Sequence, residues 1–142
     1  MSNSTQDMTI ADIAKTMAKI DKAMLVTRHG DDSAARPMSN NKDVEFDGDT
    51  YFFTTADTTT VEDIKAHDRV SVTYQDTDED TYIALSGTAK LHTARETLEK
   101  HWKDELDAWF DNGLDTDGLT LIAVNADRVH YWIGREGGEI VL

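Results

Sequence analysis

Near the start of the chain, Ile10, Ile13, Met17, Ile20 and Met24 recur at three- and four-residue steps, while Asp12, Lys15, Lys19 and Lys22 occupy other faces. This is the period of an amphipathic helix, begun by Thr9 with Asp12 three residues on. Residues 23–28 then read as a strand. The His29-Gly30-Asp31-Asp32 turn leads into a returning strand over 33–39. Pro37 within that strand predicts an edge position, a bulge or a local break, since proline has no N–H to give a ladder.

Val44 and Phe46 are placed in a short strand before the Asp47-Gly48 turn, and residues 50–55 in a full one; 60–67 read as a short helix. Val70, Val72 and Tyr74 alternate with Ser71, Thr73 and Gln75, the pattern of a half-buried strand over 69–76. After an acidic turn, residues 81–92 form the longest strand, with Ile83, Leu85, Ala89 and Leu91 on one face. Gly87 in its middle predicts a bulge or the close approach of another backbone or a ligand. Residues 95–110 read as a second long helix carrying Leu98, Trp102, Leu106 and Trp109, first of all as core or subunit contacts. Strands over 119–124 and 128–134 are expected around an Asn125-Ala126-Asp127 turn, with a short final strand over 139–142. Strands about ten residues apart with helices around them predict a mainly β fold, a small antiparallel barrel with peripheral helices.

Composition narrows the picture. A chain of 142 residues with 39% hydrophobic content suits one domain with a proper core, and residues 1–8 are expected to fray. No apolar run approaches a membrane span and no secretory pattern opens the chain, so the expected location is cytoplasmic. A net charge of −14 argues against nucleic acid or an anionic membrane as partner. With no cysteine, thiol catalysis and thiolate metal sites are excluded, and redox chemistry would need a bound cofactor. The five histidines, His29, His67, His92, His101 and His130, show no metal-ligand spacing. No catalytic side chain is assigned, because the carboxylates lie in turns and on solvated helix faces.

The stretch with most chemical content runs from residue 34 to 64. Arg36 on one strand lies opposite a strand that passes, over Thr54, Thr55, Thr58, Thr59 and Thr60, into the first turn of a helix. Such a junction can hold a phosphate on helix N–H groups, hydroxyls and a guanidinium. The plainer reading is a capping box, Thr59 with Glu62, which satisfies the same donors without a ligand.

Arg36-Pro37-Met38, Tyr51-Phe52-Phe53-Thr54-Thr55-Ala56-Asp57, Val70-Ser71-Val72-Thr73-Tyr74-Gln75-Asp76, Leu85-Ser86-Gly87-Thr88-Ala89, Trp109-Phe110 and Val129-His130-Tyr131-Trp132 occur in this order. Together they resemble the general stress protein 26 group of the pyridoxamine 5′-phosphate oxidase-like, FMN-binding split-barrel proteins. The resemblance implies a six-stranded antiparallel Greek-key split β-barrel, a homodimer, and FMN in a cleft between the subunits. It makes Arg36 a phosphate partner and sets Met38, with Pro37 beside it, next to the isoalloxazine ring. Thr54 and Thr55 would contact the ring or ribityl chain, and Thr58, Thr59, Thr60 and Val61 form the phosphate segment. Tyr82 and Trp132 would approach the flavin, Tyr82 from the second subunit.

Two departures from the family pattern are visible. Thr60 stands where relatives carry a lysine; losing one charge-assisted contact costs about 1.5–3 kcal/mol, so FMN binding is expected to be weak. The tail Gly137-Gly138-Glu139-Ile140-Val141-Leu142 lacks the Arg-x-His substrate motif, so the vitamin B6 oxidation itself is not expected. Three readings follow from the resemblance: an FMN-dependent oxidoreductase of unknown acceptor, a flavin-binding or sensing module without turnover, and a barrel that has lost its flavin.

Overall fold

The computed structural model describes residues 8–40 and 45–142. Helix α1 (Ile10–Met17) is followed by strands β1 (Lys22–His29), β2 (Asp32–Ser39) and β3 (Asp49–Thr55), helix α2 (Thr59–Ala66), and strands β4 (Arg69–Asp76) and β5 (Thr81–His92). Helix α3 (Arg95–His101) leads through two 3₁₀ turns, Asp104–Ala108 and Gly113–Asp115, into β6 (Leu119–Ile133) and β7 (Glu136–Val141). All pairings are antiparallel, in the order β2-β1-β4-β5-β6-β3, with β7 also on β6. β3 leaves its chain neighbour β2 to pair with β6 at the far end of the path, the crossover of a Greek key. The sheet therefore has seven strands where six were expected, and it does not close: β2 and β3 end its main path, and β7 is a further edge on β6. This opening positions the site.

Alternation builds the core. Ala23 and Leu25 of β1, Val70, Val72 and Tyr74 of β4, and Ile83, Leu85 and Ala89 of β5 point inward with Ile122, Val124 and Val129 of β6. α1 closes one end through Ile13, Ala14 and Met17, and begins as predicted with a capping box between Thr9 and Asp12. It stops at Met17, however, and Met24 lies on β1 with 38% of its surface exposed. A partner distant in sequence meets the helix end. The Asn40 amide donates to the carbonyls of Met17 at 2.7 Å and Ile20 at 2.8 Å, satisfying groups that a helix end leaves open.

Pro37 lies on the edge strand β2, where its missing donor is not needed. Gly87 marks a register shift: Ser86 pairs with Arg128 and Gly87 with Ala126, so Asp127 is the extra residue of a bulge. A Cβ at Gly87 would collide with the Asn125 carbonyl oxygen. The predicted Asn125-Ala126-Asp127 turn is thus a bulge inside one continuous strand, with Ala126 buried.

The helix expected over 95–110 breaks at Trp102, whose backbone is extended (φ −69°, ψ 139°). That break turns the Trp102 ring into a second apolar cluster, 5.2 Å from Phe53 and 5.9 Å from Phe110, over Leu98, Leu119 and Leu121. Leu106 and Trp109 are carried off the expected stripe, and Trp109 is 63% exposed. The final strand begins at Glu136 rather than 139. Phe46 is buried but outside any strand, while Val44 and residues 1–7 lie outside the described residues.

Candidate functional site

The two ends of the sheet face each other across a cleft roofed by the 3₁₀ turn after α3. One part, about 350 Å³, is lined by Lys22, Ser39, Tyr51, Phe53, Leu106 and Trp109, among others. An adjoining part of about 280 Å³ shares Lys22, Ser39, Phe53, Leu106 and Trp109 and adds Pro37, Met38, Thr54, Thr55 and Phe110. Pleating explains the lining. Thr50 and Phe52 of β3 point to the core, so Tyr51 and Phe53 take the other face. Lys22 donates to Ser39 Oγ at 2.9 Å and lies 4.4 Å over the Trp109 ring, holding that exposed indole at the lip. Asp21, Glu105, Lys103 and His101 ring the mouth. His101 stacks on Tyr51 with centroids 4.1 Å apart. Burial, with Lys100 and His92 nearby, pushes His101 below the ordinary imidazole range.

Of the residues singled out by sequence, Pro37, Met38, Thr54 and Thr55 meet in this cleft. The hydroxyls of Thr54, Thr55 and Thr58 are engaged within their own segment. Thr54 Oγ1 donates to Thr58 Oγ1 at 3.4 Å, Thr55 Oγ1 to Asp57 at 2.6 Å, and Thr58 Oγ1 to the Thr55 carbonyl at 2.9 Å. Thr58, not Thr59, caps α2 by accepting from the Val61 amide, so the expected Thr59–Glu62 capping box does not form. One residue earlier, the cap leaves Val61 at the position where a reciprocating acid would sit. Thr59 is exposed, whereas Thr60 and Val61 are buried.

Arg36 is turned toward α2 and is already engaged. Its Nη1 donates to Thr27 Oγ1 at 2.7 Å, the Ala34 carbonyl at 3.1 Å and the Leu25 carbonyl at 3.3 Å; Nη2 lies 3.4 Å from Asp63 Oδ2. Asp63 is only 4% exposed. Its Oδ2 also accepts from Thr27 at 2.8 Å, and its Oδ1 is 2.6 Å from His29 Nδ1. Burial pushes the Asp63 carboxyl up, but the hydrogen bonds from His29 and Thr27 and the charges of His29 and Arg36 outweigh it and hold the group below the usual carboxylate range. The same hydrogen bond raises His29.

Tyr82 and Trp132 are cross-strand partners on β5 and β6, and neither lines the cleft. Trp132 is exposed, as is Met24 on β1. Sequence reasoning missed Lys22 and the lip formed by Leu106 and Trp109. Their three-residue spacing was visible, but it was read as a core stripe of a straight helix. Among the described residues, no group of three or more acidic or histidine side chains could hold a metal ion.

The mainly antiparallel β architecture expected from the residue motifs is the one observed, and the comparisons agree on the fold. A family model described as pyridoxamine 5′-phosphate oxidase like matches residues 8–142. The chain belongs to that family. Among solved structures, a protein related to general stress protein 26 from Clostridium acetobutylicum superposes with a TM-score of 0.83 at 17% identity, covering 94% of each chain. General stress protein 26 of Bacillus anthracis gives 0.74 at 21% identity over 94% of this chain and 100% of the other. A general stress FMN/FAD binding protein from Xanthomonas citri gives 0.76 at 22% identity, covering 89% of both. At these identities the likeness speaks for the fold. Protein bli-3 of Neurospora crassa is 26% identical over 93 residues, 60% of this chain, and the match spans 44% of that longer protein.

Proposed function

We propose that this chain is a flavin-binding protein of the stress-response type, acting as a homodimer that holds the ring in the cleft between β2 and β3. The observation that carries the reading is the cleft itself: an apolar slot of Met38, Phe53, Leu106 and Trp109, bordered by the hydroxyls of Thr54, Thr55 and Ser39. A planar heteroaromatic ring needs such flat apolar walls with a few polar groups along one rim. The name of the Xanthomonas citri neighbour supports the same choice.

A second subunit is supported by what one chain leaves open. Tyr82 and Trp132 lie outside their own cleft, on a face where Met24 and Trp132 are exposed; a second copy docked there would bring them to its neighbour's ring. When bound, a flavin supplies hydride or single-electron transfer. The residues of this chain orient the ring, exclude water from one side through Trp109, and meet its polar rim with Thr54 and Thr55. The ring end fits. FMN, implied by the family resemblance, adds a phosphate that would approach Thr58, Thr59, Thr60, the Val61 amide and Arg36. That end fits poorly, because Arg36 is held by Asp63 and the Val61 amide is taken by Thr58.

Titrating FMN or riboflavin with the protein and following flavin fluorescence tests the reading; saturable quenching is expected. Oxidation of a reduced nicotinamide by the loaded protein would assign oxidoreductase activity. Binding without turnover would assign a flavin-carrying or sensing module.

A further inference from the structure

We infer that Asp63 is a built-in counter-anion standing where a ligand's phosphate would otherwise engage Arg36, so that the cleft selects a flavin by its ring and accepts unphosphorylated riboflavin about as well as FMN. The inference rests on the flavin reading above and concerns its phosphate end alone.

Arg36 pairs across the hairpin with Leu25, and its side chain runs between β1 and α2. Three of its four contacts are made by Nη1, to Thr27, Ala34 and Leu25, and fix the guanidinium plane; the fourth points Nη2 at Asp63. A guanidinium recognises a phosphate best when two parallel N–H groups are free on one edge. Here that freedom is reduced, and the charge is reduced further. Asp63 is buried with both oxygens engaged, so its negative charge is a fixed part of the fold. Arg36 and Asp63 together carry no net charge.

Of the surrounding charges, His29 meets Asp63 on Oδ1, the oxygen other than the one facing Arg36. Glu62 adds a negative charge in the first turn of α2, and the basic residue of that helix, Lys65, lies in its last turn. A phosphate dianion brought to Arg36 would lie close to the Asp63 carboxylate, where low exposure leaves the repulsion little screened. Pulling Arg36 away to meet the phosphate would instead leave Asp63 with less compensation in a buried place. Ring contacts with Met38, Phe53 and Trp109 are independent of this network, since none of Arg36, Asp63, Thr27 and His29 lines the cleft.

The test compares FMN and riboflavin by fluorescence quenching in phosphate-free buffer, using the full chain and D63N, with circular dichroism and melting to report folding. For the unsubstituted protein the two dissociation constants should differ by less than about tenfold, the least that one free charge-assisted contact would give. D63N should tighten FMN by about tenfold while leaving riboflavin unchanged. If D63N does not fold, the unsubstituted ratio still decides, together with competition by inorganic phosphate, which should fail to displace FMN. A preference for FMN beyond about tenfold in the unsubstituted protein, or a folded D63N with an unaltered ratio, overturns the inference while the flavin reading stands. Failure of both flavins to bind overturns the flavin reading and this inference with it.

Discussion

Asp63 shows how far a single residue's role depends on partners remote in sequence. His29 and Asp63 form a pair whose two pKa values move apart, and the pH dependence follows from the signs. His29 is raised from its ordinary 6.5, so its contribution to stability is full below that value and is lost as pH rises through the higher folded value. Asp63 is lowered from 3.8, so its contribution is present above that value and is lost as pH falls through the lower folded one. Melting temperature against pH should therefore show a shallow decline on the alkaline side of His29, shallow because that ring is largely exposed, and H29Q should remove it. A second residue prediction concerns Gly87. Its Cβ would meet the Asn125 backbone, so G87A should cost about 3 kcal/mol or more in denaturant unfolding, far beyond an ordinary strand substitution. Gly87 was legible in sequence because glycine inside a strand pattern has few explanations. The hold of Asp63 on Arg36 was not legible, because 27 residues separate them and only the packing of α2 against β1 brings them together.

Elements were read well where one period governed them. The bounds of β4 and β5 follow directly from alternation. They were misread where a distant group intervened. The apolar stripe of α1 continues past its end, where Asn40, just after β2, donates to the carbonyl of Met17, the last helical residue, and to that of Ile20 beyond it. N40A should then lower stability by about 1–2 kcal/mol, seen as an earlier unfolding midpoint, since both carbonyls lose the Asn40 amide and Met17 keeps only its bond from the Ile20 N–H. The segment after α3 failed for another reason. Helical spacing placed Trp109 on a core stripe, while the extended Trp102 turns the chain and leaves Trp109 at the cleft lip. The two roles predict different outcomes. As a lip residue, W109A should leave the melting temperature nearly unchanged and weaken flavin binding by about fivefold, the scale of one aromatic stacking contact; a core residue would do the reverse.

At the scale of the whole molecule, turn-separated alternating strands were enough to indicate an antiparallel β architecture, and the ordered motifs were enough to indicate a family. They could not show that the sheet stays open between β2 and β3, because that gap follows from the β3 crossover and from a roof broken out of a helix. The opening is what the functional account depends on. The most direct test is titration of FMN and riboflavin with the protein and with M38E, which sets a charge on the cleft wall. The account predicts saturable quenching of flavin fluorescence by the unsubstituted chain and its loss in a folded M38E. Absence of saturable quenching at high micromolar protein, or full retention of it in M38E, would contradict the placement of a flavin between the two open edges.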